Sequence, residues 1–116
     1  QKMMKFYLNN DYQYVSNTLN PTYPDGIDIE IFNSQSLNLA AKTCKKLIDK
    51  EHVTTFIKRN DKLKKYNYRY KRNFSQIRLT IDTDDDYRTI KIIFKKFNYN
   101  YLVNWETVAN FYLKNI

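Results

Sequence analysis

Between Gln76 and Phe97 the hydrophobic period changes from two to about 3.6 within a few residues. No other feature constrains the fold of this chain as strongly. Ile77, Leu79 and Ile81 alternate with Arg78, Thr80 and Asp82, which predicts a strand that ends in an acid. Thr83 then stands as an N-cap, and Asp84, Asp85 and Asp86 fill the first turn, where the helix dipole favours negative charge. Tyr87, Ile90, Ile93, Phe94 and Phe97 follow as the predicted buried stripe. A strand running straight into a helix points to an α/β fold.

The flanking segments agree with that class. Met3, Phe6 and Tyr7 fall at helical spacing before the turn residues Asn9, Asn10 and Asp11, so the chain reads as starting inside a helix, with an extension upstream expected. Tyr12 to Asn17 is a short predicted strand, followed by a loop that holds both prolines and the single glycine, Gly26. From residue 27 to 32 the alternation predicts a second strand, with Ile27, Ile29 and Ile31 toward the core and Asp28, Glu30 and Phe32 on the other face. Ser34 is the expected cap of a helix carrying Leu37, Ala40, Ala41, Cys44, Leu47 and Ile48 on one face. EHVTTFIKRN predicts a shorter helix, Asp61 to Asn73 a loop or edge strand, and Trp105, Val108, Ala109 and Tyr112 one face of a final helix.

A length of 116 residues suits a single domain, expected over 1–116, and 11 Tyr with 7 Phe supply an aromatic core. The formal charge of +8 permits nucleic acid, acidic membranes or polyphosphates as partners. Joint enrichment in Lys, Asn, Ile and Tyr is also what an AT-rich genome imposes on any protein. Cys44 is the only cysteine, which rules out an intrachain disulfide and suits a reducing cytosol. No apolar run reaches the length of a membrane span, so a cytoplasmic protein with no membrane partner is expected.

Four segments, YVSNTLNPTYPDGIDIEIF, KEHVTTFI, IRLTIDTDDDY and LVNWETVANFYLKN, stand in an order that resembles the C-terminal half of the spore coat polysaccharide biosynthesis cytidylyltransferases, relatives of the Kdo and acylneuraminate cytidylyltransferases. The resemblance runs from about Tyr14 to Tyr112. It implies the C-terminal portion of a nucleotide-diphospho-sugar-transferase-like, Rossmann-like fold, with a mixed sheet flanked by helices. Where members of that family usually carry Pro after the Asp-Thr pair and after His-Val-Thr, this chain has Asp84 and Thr55, and Pro at a first helical position is only a convenience. The family's Gly-rich loop, which holds CTP, has no counterpart, because a phosphate cradle needs several glycines and Gly26 stands alone.

The resemblance implies part of a transferase that moves CMP from CTP to a sugar. CTP and a sugar are then the substrates of the complete enzyme, and this chain is inactive alone. Its partner is the missing N-terminal half or a second chain, and a homodimer would suit the family. Asp82 matches the aspartate that helps hold Mg²⁺, shared with the missing half and weakly bound or absent in this chain alone; read without the family, Asp82 merely prepares the turn into the helix. Asp28 and Glu30, about 7 Å apart on one strand face, are expected to reach acceptor-sugar hydroxyls or a second cation, the alternative being a solvated face. His52, the only histidine, is expected to orient substrate or to be a satisfied structural residue, and no catalytic residue is assigned. Asp84, Asp85 and Asp86 read as helix-start charge and nothing more.

One rival reading belongs to another class. Lys62, Lys64, Lys65, Arg69, Lys71 and Arg72, interleaved with Tyr66, Tyr68 and Tyr70, would suit a non-catalytic module that binds single-stranded nucleic acid or a partner protein. A basic edge strand that resists aggregation accounts for the same residues, and nucleic acid is not the expected partner.

Overall fold

The computed structural model describes residues 1–52 and 54–116; Val53 and the side chain of Lys50 lie outside the described residues. The chain divides into two compact units, the first made of Gln1–Asn20 and Ile29–Arg69, the second of Pro21–Asp28 and Tyr70–Ile116.

In the first unit the opening helix α1 spans Lys2–Leu8 and buries Met3. A three-stranded sheet follows, with β1 (Tyr14–Ser16) in the middle, antiparallel to β2 (Glu30–Phe32) and parallel to the edge strand β3 (Lys65–Asn67). Being central, β1 is buried at all three positions. The register pairs Tyr14 with Phe32, Val15 with Ile31 and Ser16 with Glu30. Because side chains alternate, Tyr14, Phe32, Ser16 and Glu30 share one face.

That register corrects the face predicted for the second strand. Phe32 packs against the core formed by Tyr14, Ala40, Ile57 and Leu63, whereas Ile29 is 47% exposed and lies before the strand begins. Alternation alone could not tell which face meets the core, since both faces of β2 carry an apolar residue.

Helix α2 (Ser34–Thr43) is capped by Asn33, one residue earlier than expected, whose side chain accepts from the Ser36 amide. It stops at Cys44, so Leu47 and Ile48 do not continue its apolar stripe; they open α3 (Leu47–Glu51) and are 86% and 52% exposed. The short α4 (Thr55–Arg59) buries Ile57. Arg59 is tied back to α3 by an ion pair of 2.7 Å to the buried Asp49. Phe6, Tyr12, Tyr66 and Tyr68 pack ring on ring, with Phe6 and Tyr66 centroids 4.5 Å apart and those of Tyr12 and Tyr66 5.0 Å apart.

In the second unit, Phe74, Ile77 and Ala109 form the core, with Tyr70, Leu79, Trp105 and Tyr112 packed around them. Helix α5 spans Asp84–Lys96, capped by Thr83 as predicted, and α6 spans Trp105–Asn115, capped by Asn104. The left-handed residues Asn98 and Tyr99 turn the chain between them.

The segment predicted as a strand over 76–82 starts in a turn at Gln76, ends in a bend at Asp82 and joins no sheet among the described residues. Among the described residues its ladder is reduced to one parallel bridge, Asp25 to Arg78, in which Asp25 donates to the Ile77 carbonyl (2.9 Å) and accepts from the Leu79 amide (2.8 Å). The neighbouring strand is cut short by its own residues: Pro24 has no N–H to donate, and Gly26, at φ +101°, leaves the extended region. With no sheet beyond the bridge, Ile77 is buried, Leu79 is half-buried and Ile81 is 59% exposed.

Candidate functional site

In the second unit Arg78 is the hub. Its guanidinium reaches Asp25 Oδ2 at 2.8 Å and Asp86 Oδ1 at 2.9 Å, and its remaining terminal nitrogen donates to Asp82 Oδ2. Each carboxylate arrives by a different local rule. Asp25 comes from the Pro-Asp-Gly turn, Asp82 from the end of the extended segment, and Asp86 from position N3 of α5. There Asp86 closes a capping box, the Thr83 hydroxyl accepting from the Asp86 amide while Asp86 Oδ2 accepts from the amides of Asp82 and Thr83, both at 3.0 Å. The Arg78 side chain, then the Asp82 amide and the Thr83 cap, hold the Asp86 pKa down to about 2.

Asp86 is therefore more than helix-start charge. Asp84 and Asp85 are exposed at the same helix start, Asp85 pairing with Arg88 at 3.0 Å.

Asp82, the expected metal residue, sits at the head of α5 with its side chain 65% exposed. A hard cation takes carboxylate oxygens, and an exposed carboxylate held by one arm fits as a single ligand to Mg²⁺. It does not make a complete site: among the described residues no group of three or more His, Cys, Asp or Glu side chains could hold a metal ion.

In the first unit Glu30 is held by an ion pair. Its Oε1 lies 2.5 Å from Lys58 Nζ, and Thr54 and Tyr14 also approach its carboxylate. Burial alone would raise the Glu30 pKa, but Lys58 above all, with Thr54, outweighs it and holds the group below its ordinary value. Tyr14 is buried, and that burial above all raises its phenol pKa. Its hydroxyl stands near Ser16, Thr18 and Glu30, yet it makes no hydrogen bond of good geometry among the described residues. Ser16 and Thr18 instead bond to each other, Oγ to Oγ1, at 2.8 Å.

His52 is exposed at the C-terminus of α3, where its amide donates to the Ile48 carbonyl at 2.9 Å and its carbonyl accepts from Thr55. Val53, in the middle of the Glu-His-Val-Thr motif, lies outside the described residues. Asp28 is exposed. Glu30 and His52 thus fall in the first unit, and Asp28 and Asp82 in the second.

Sequence reasoning missed Arg78, Asp25, Lys58 and Tyr14. One signal was present for Arg78 and Asp86, since Thr83-x-x-Asp86 is a capping-box spacing that carries an acid back toward the preceding segment. Nothing local marks the other pairings. Asp25 meets Arg78 across 53 positions of sequence.

Over residues 62 to 72 the tyrosines are engaged in packing, whereas Lys62, Lys64, Arg69, Lys71 and Arg72 are exposed. Tyr66 and Tyr68 lie in the cluster with Phe6 and Tyr12, and Tyr70 packs on Trp105 at 4.9 Å. Lys65 Nζ donates to the carbonyls of Lys58 and Asn60, and Lys64 pairs with Asp11 at 3.3 Å.

No helix among the described residues is long and apolar enough to cross a membrane. No family model matches the chain. It is 34% identical over 100 residues to the uncharacterized protein MJ1063 of Methanocaldococcus jannaschii, a match covering 84% of this chain and 40% of that protein. Among solved structures it is similar to a cytidylyltransferase from Leptospira borgpetersenii serovar Hardjo-bovis, with a TM-score of 0.89 and 28% identity, over 98% of this chain and 49% of that one. The chain thus spans less than half the length of each relative it matches. Its mixed sheet flanked by helices matches the nucleotide-sugar-transferase-like fold of a cytidylyltransferase, and the likeness supports the cytidylyltransferase family for this chain.

Proposed function

We infer that this chain serves cytidylyl transfer to a sugar, contributing acceptor-side and cation-side residues to a CMP-sugar-forming enzyme of surface polysaccharide or glycan synthesis. The observation that carries this reading is the likeness to a cytidylyltransferase over 98% of the chain. In such a reaction a sugar oxygen attacks the α-phosphorus of CTP and the bond to pyrophosphate breaks, so the protein's work is in-line positioning and neutralisation of charge.

Asp82 would be one ligand of Mg²⁺, which when bound neutralises phosphate charge. Glu30, kept ionised by Lys58, accepts hydrogen bonds from sugar hydroxyls, and His52 of the same unit helps to orient the acceptor. The nucleotide's phosphates need a glycine-rich cradle, and these 116 residues hold one glycine. The isolated chain is therefore inactive by itself.

The test is pyrophosphate release from CTP by the full-length protein with Mg²⁺ and a panel of acidic and phosphorylated sugars. Turnover is expected with one of these sugars and is lost in Asp82→Asn, which keeps the size of the side chain but removes its charge. Full turnover in Asp82→Asn removes the cation role. Absence of turnover with every sugar removes the transferase reading.

A further inference from the structure

In the second unit one guanidinium meets three carboxylates from three segments. Arg78 lies between Asp25 of the Pro-Asp-Gly turn and Asp86 of the α5 capping box, at 2.8 and 2.9 Å, and its last terminal nitrogen is given to Asp82. The backbone fixes the hub as well, through the bridge of Arg78 to Asp25. Asp86 is anchored twice, by Arg78 through Oδ1 and by the amides of Asp82 and Thr83 through Oδ2. Asp82 is the odd member. Asp86 has a side chain only 10% exposed and is wholly used in holding the helix start, whereas Asp82 is 65% exposed and held by Arg78 alone.

We propose that Arg78 is a positioning residue, whose forked guanidinium, braced by Asp25 and Asp86, holds the Asp82 carboxylate at the head of α5 in the orientation in which it meets a cation on the nucleotide phosphates. The proposal rests on the transferase reading above. Fork geometry is essential to it, because a planar guanidinium serves three acceptors in fixed directions and an ammonium is a single point charge. A carboxylate that ligates a metal is commonly oriented by such a neighbour, and losing that neighbour costs roughly 10- to 100-fold in metal affinity or activity.

The experiment compares full-length wild type, Arg78→Lys and Asn104→Ala. Lysine keeps the positive charge beside Asp82, so the Coulomb term is preserved and only the fork is lost. Asn104→Ala removes the cap of α6 in the same unit, outside the Arg78 hub, and reports what general loosening does. The readouts are kcat and KM for CTP, Mn²⁺ affinity of the CTP-bound protein by electron paramagnetic resonance, and thermal unfolding.

In Arg78→Lys, kcat and Mn²⁺ affinity are expected to fall by roughly 10-fold or more, with KM for CTP within about 2-fold of wild type because the nucleotide's other contacts remain. Asn104→Ala is expected to lower the unfolding temperature and leave kcat and Mn²⁺ affinity as in wild type. The proposal is overturned if Arg78→Lys retains wild-type Mn²⁺ affinity, or if Asn104→Ala costs as much kcat as Arg78→Lys. Failure of the transferase reading looks different: wild type then releases no pyrophosphate with any sugar and shows no CTP-dependent Mn²⁺ binding, which overturns the proposal with it.

Discussion

Gly26 lies so close to Leu79 that a Cβ at position 26 would stand 2.7 Å from the Leu79 carbonyl oxygen. The backbone at Gly26 also has φ +101°, which L side chains rarely adopt. The single glycine of the chain is thereby spent on seating the Pro-Asp-Gly turn against the segment that leads to Asp82.

Gly26→Ala is accordingly expected to destabilise the second unit by about 2 kcal/mol or more, from strained backbone together with the clash against a carbonyl that cannot swing away. Chemical denaturation of the purified chain measures it, and a midpoint within error of wild type would show that the turn is free to relax.

Tyr14 offers a contrast between shape and hydrogen bonding. Its ring is buried in the core while its hydroxyl lacks a partner of good geometry among the described residues. Tyr14→Phe should be nearly neutral or slightly stabilising, since an unsatisfied buried hydroxyl costs about 1–3 kcal/mol. Tyr14→Ala should cost about 3–5 kcal/mol through the cavity it leaves. A large loss in Tyr14→Phe would show that the hydroxyl is bonded in solution.

Glu30 sets an acid dependence. Its folded pKa is held below the ordinary 4.5, so the folded state favours the carboxylate. The resulting stabilisation is present in full above the unfolded value and disappears as pH falls through the lower folded value. Wild type should therefore lose stability on the acid side of pH 4.5, and Glu30→Gln should lose less over that interval. Unfolding midpoints of the two proteins across the acid range make the comparison; parallel profiles would mean that Lys58 does not hold Glu30 in solution.

Binding of single-stranded RNA tests the rival reading. With Tyr66, Tyr68 and Tyr70 packed against Phe6, Tyr12 and Trp105, few ring faces are left for bases. Fluorescence anisotropy with a short labelled RNA should show only weak association that salt abolishes. Tight binding that survives the loss of Tyr66 would point instead to the basic side chains around it.

Sequence alone determined what depends on neighbours along the chain. Thr83 and the acids after it start α5, Trp105, Val108, Ala109 and Tyr112 lie on α6, and the resemblance to the cytidylyltransferases could be read from short motifs in order. These rest on helical period and capping, which act within four or five residues. Tertiary structure alone decided which strands pair, which face of β2 meets the core, and that residues 76–82 bridge the Pro-Asp-Gly turn where a sheet strand was expected. It also brought Asp25 to Arg78 and Glu30 to Lys58. Pairings of that kind depend on chain segments dozens of residues apart, and an alternating pattern with apolar residues on both faces is equally compatible with several registers until packing selects one.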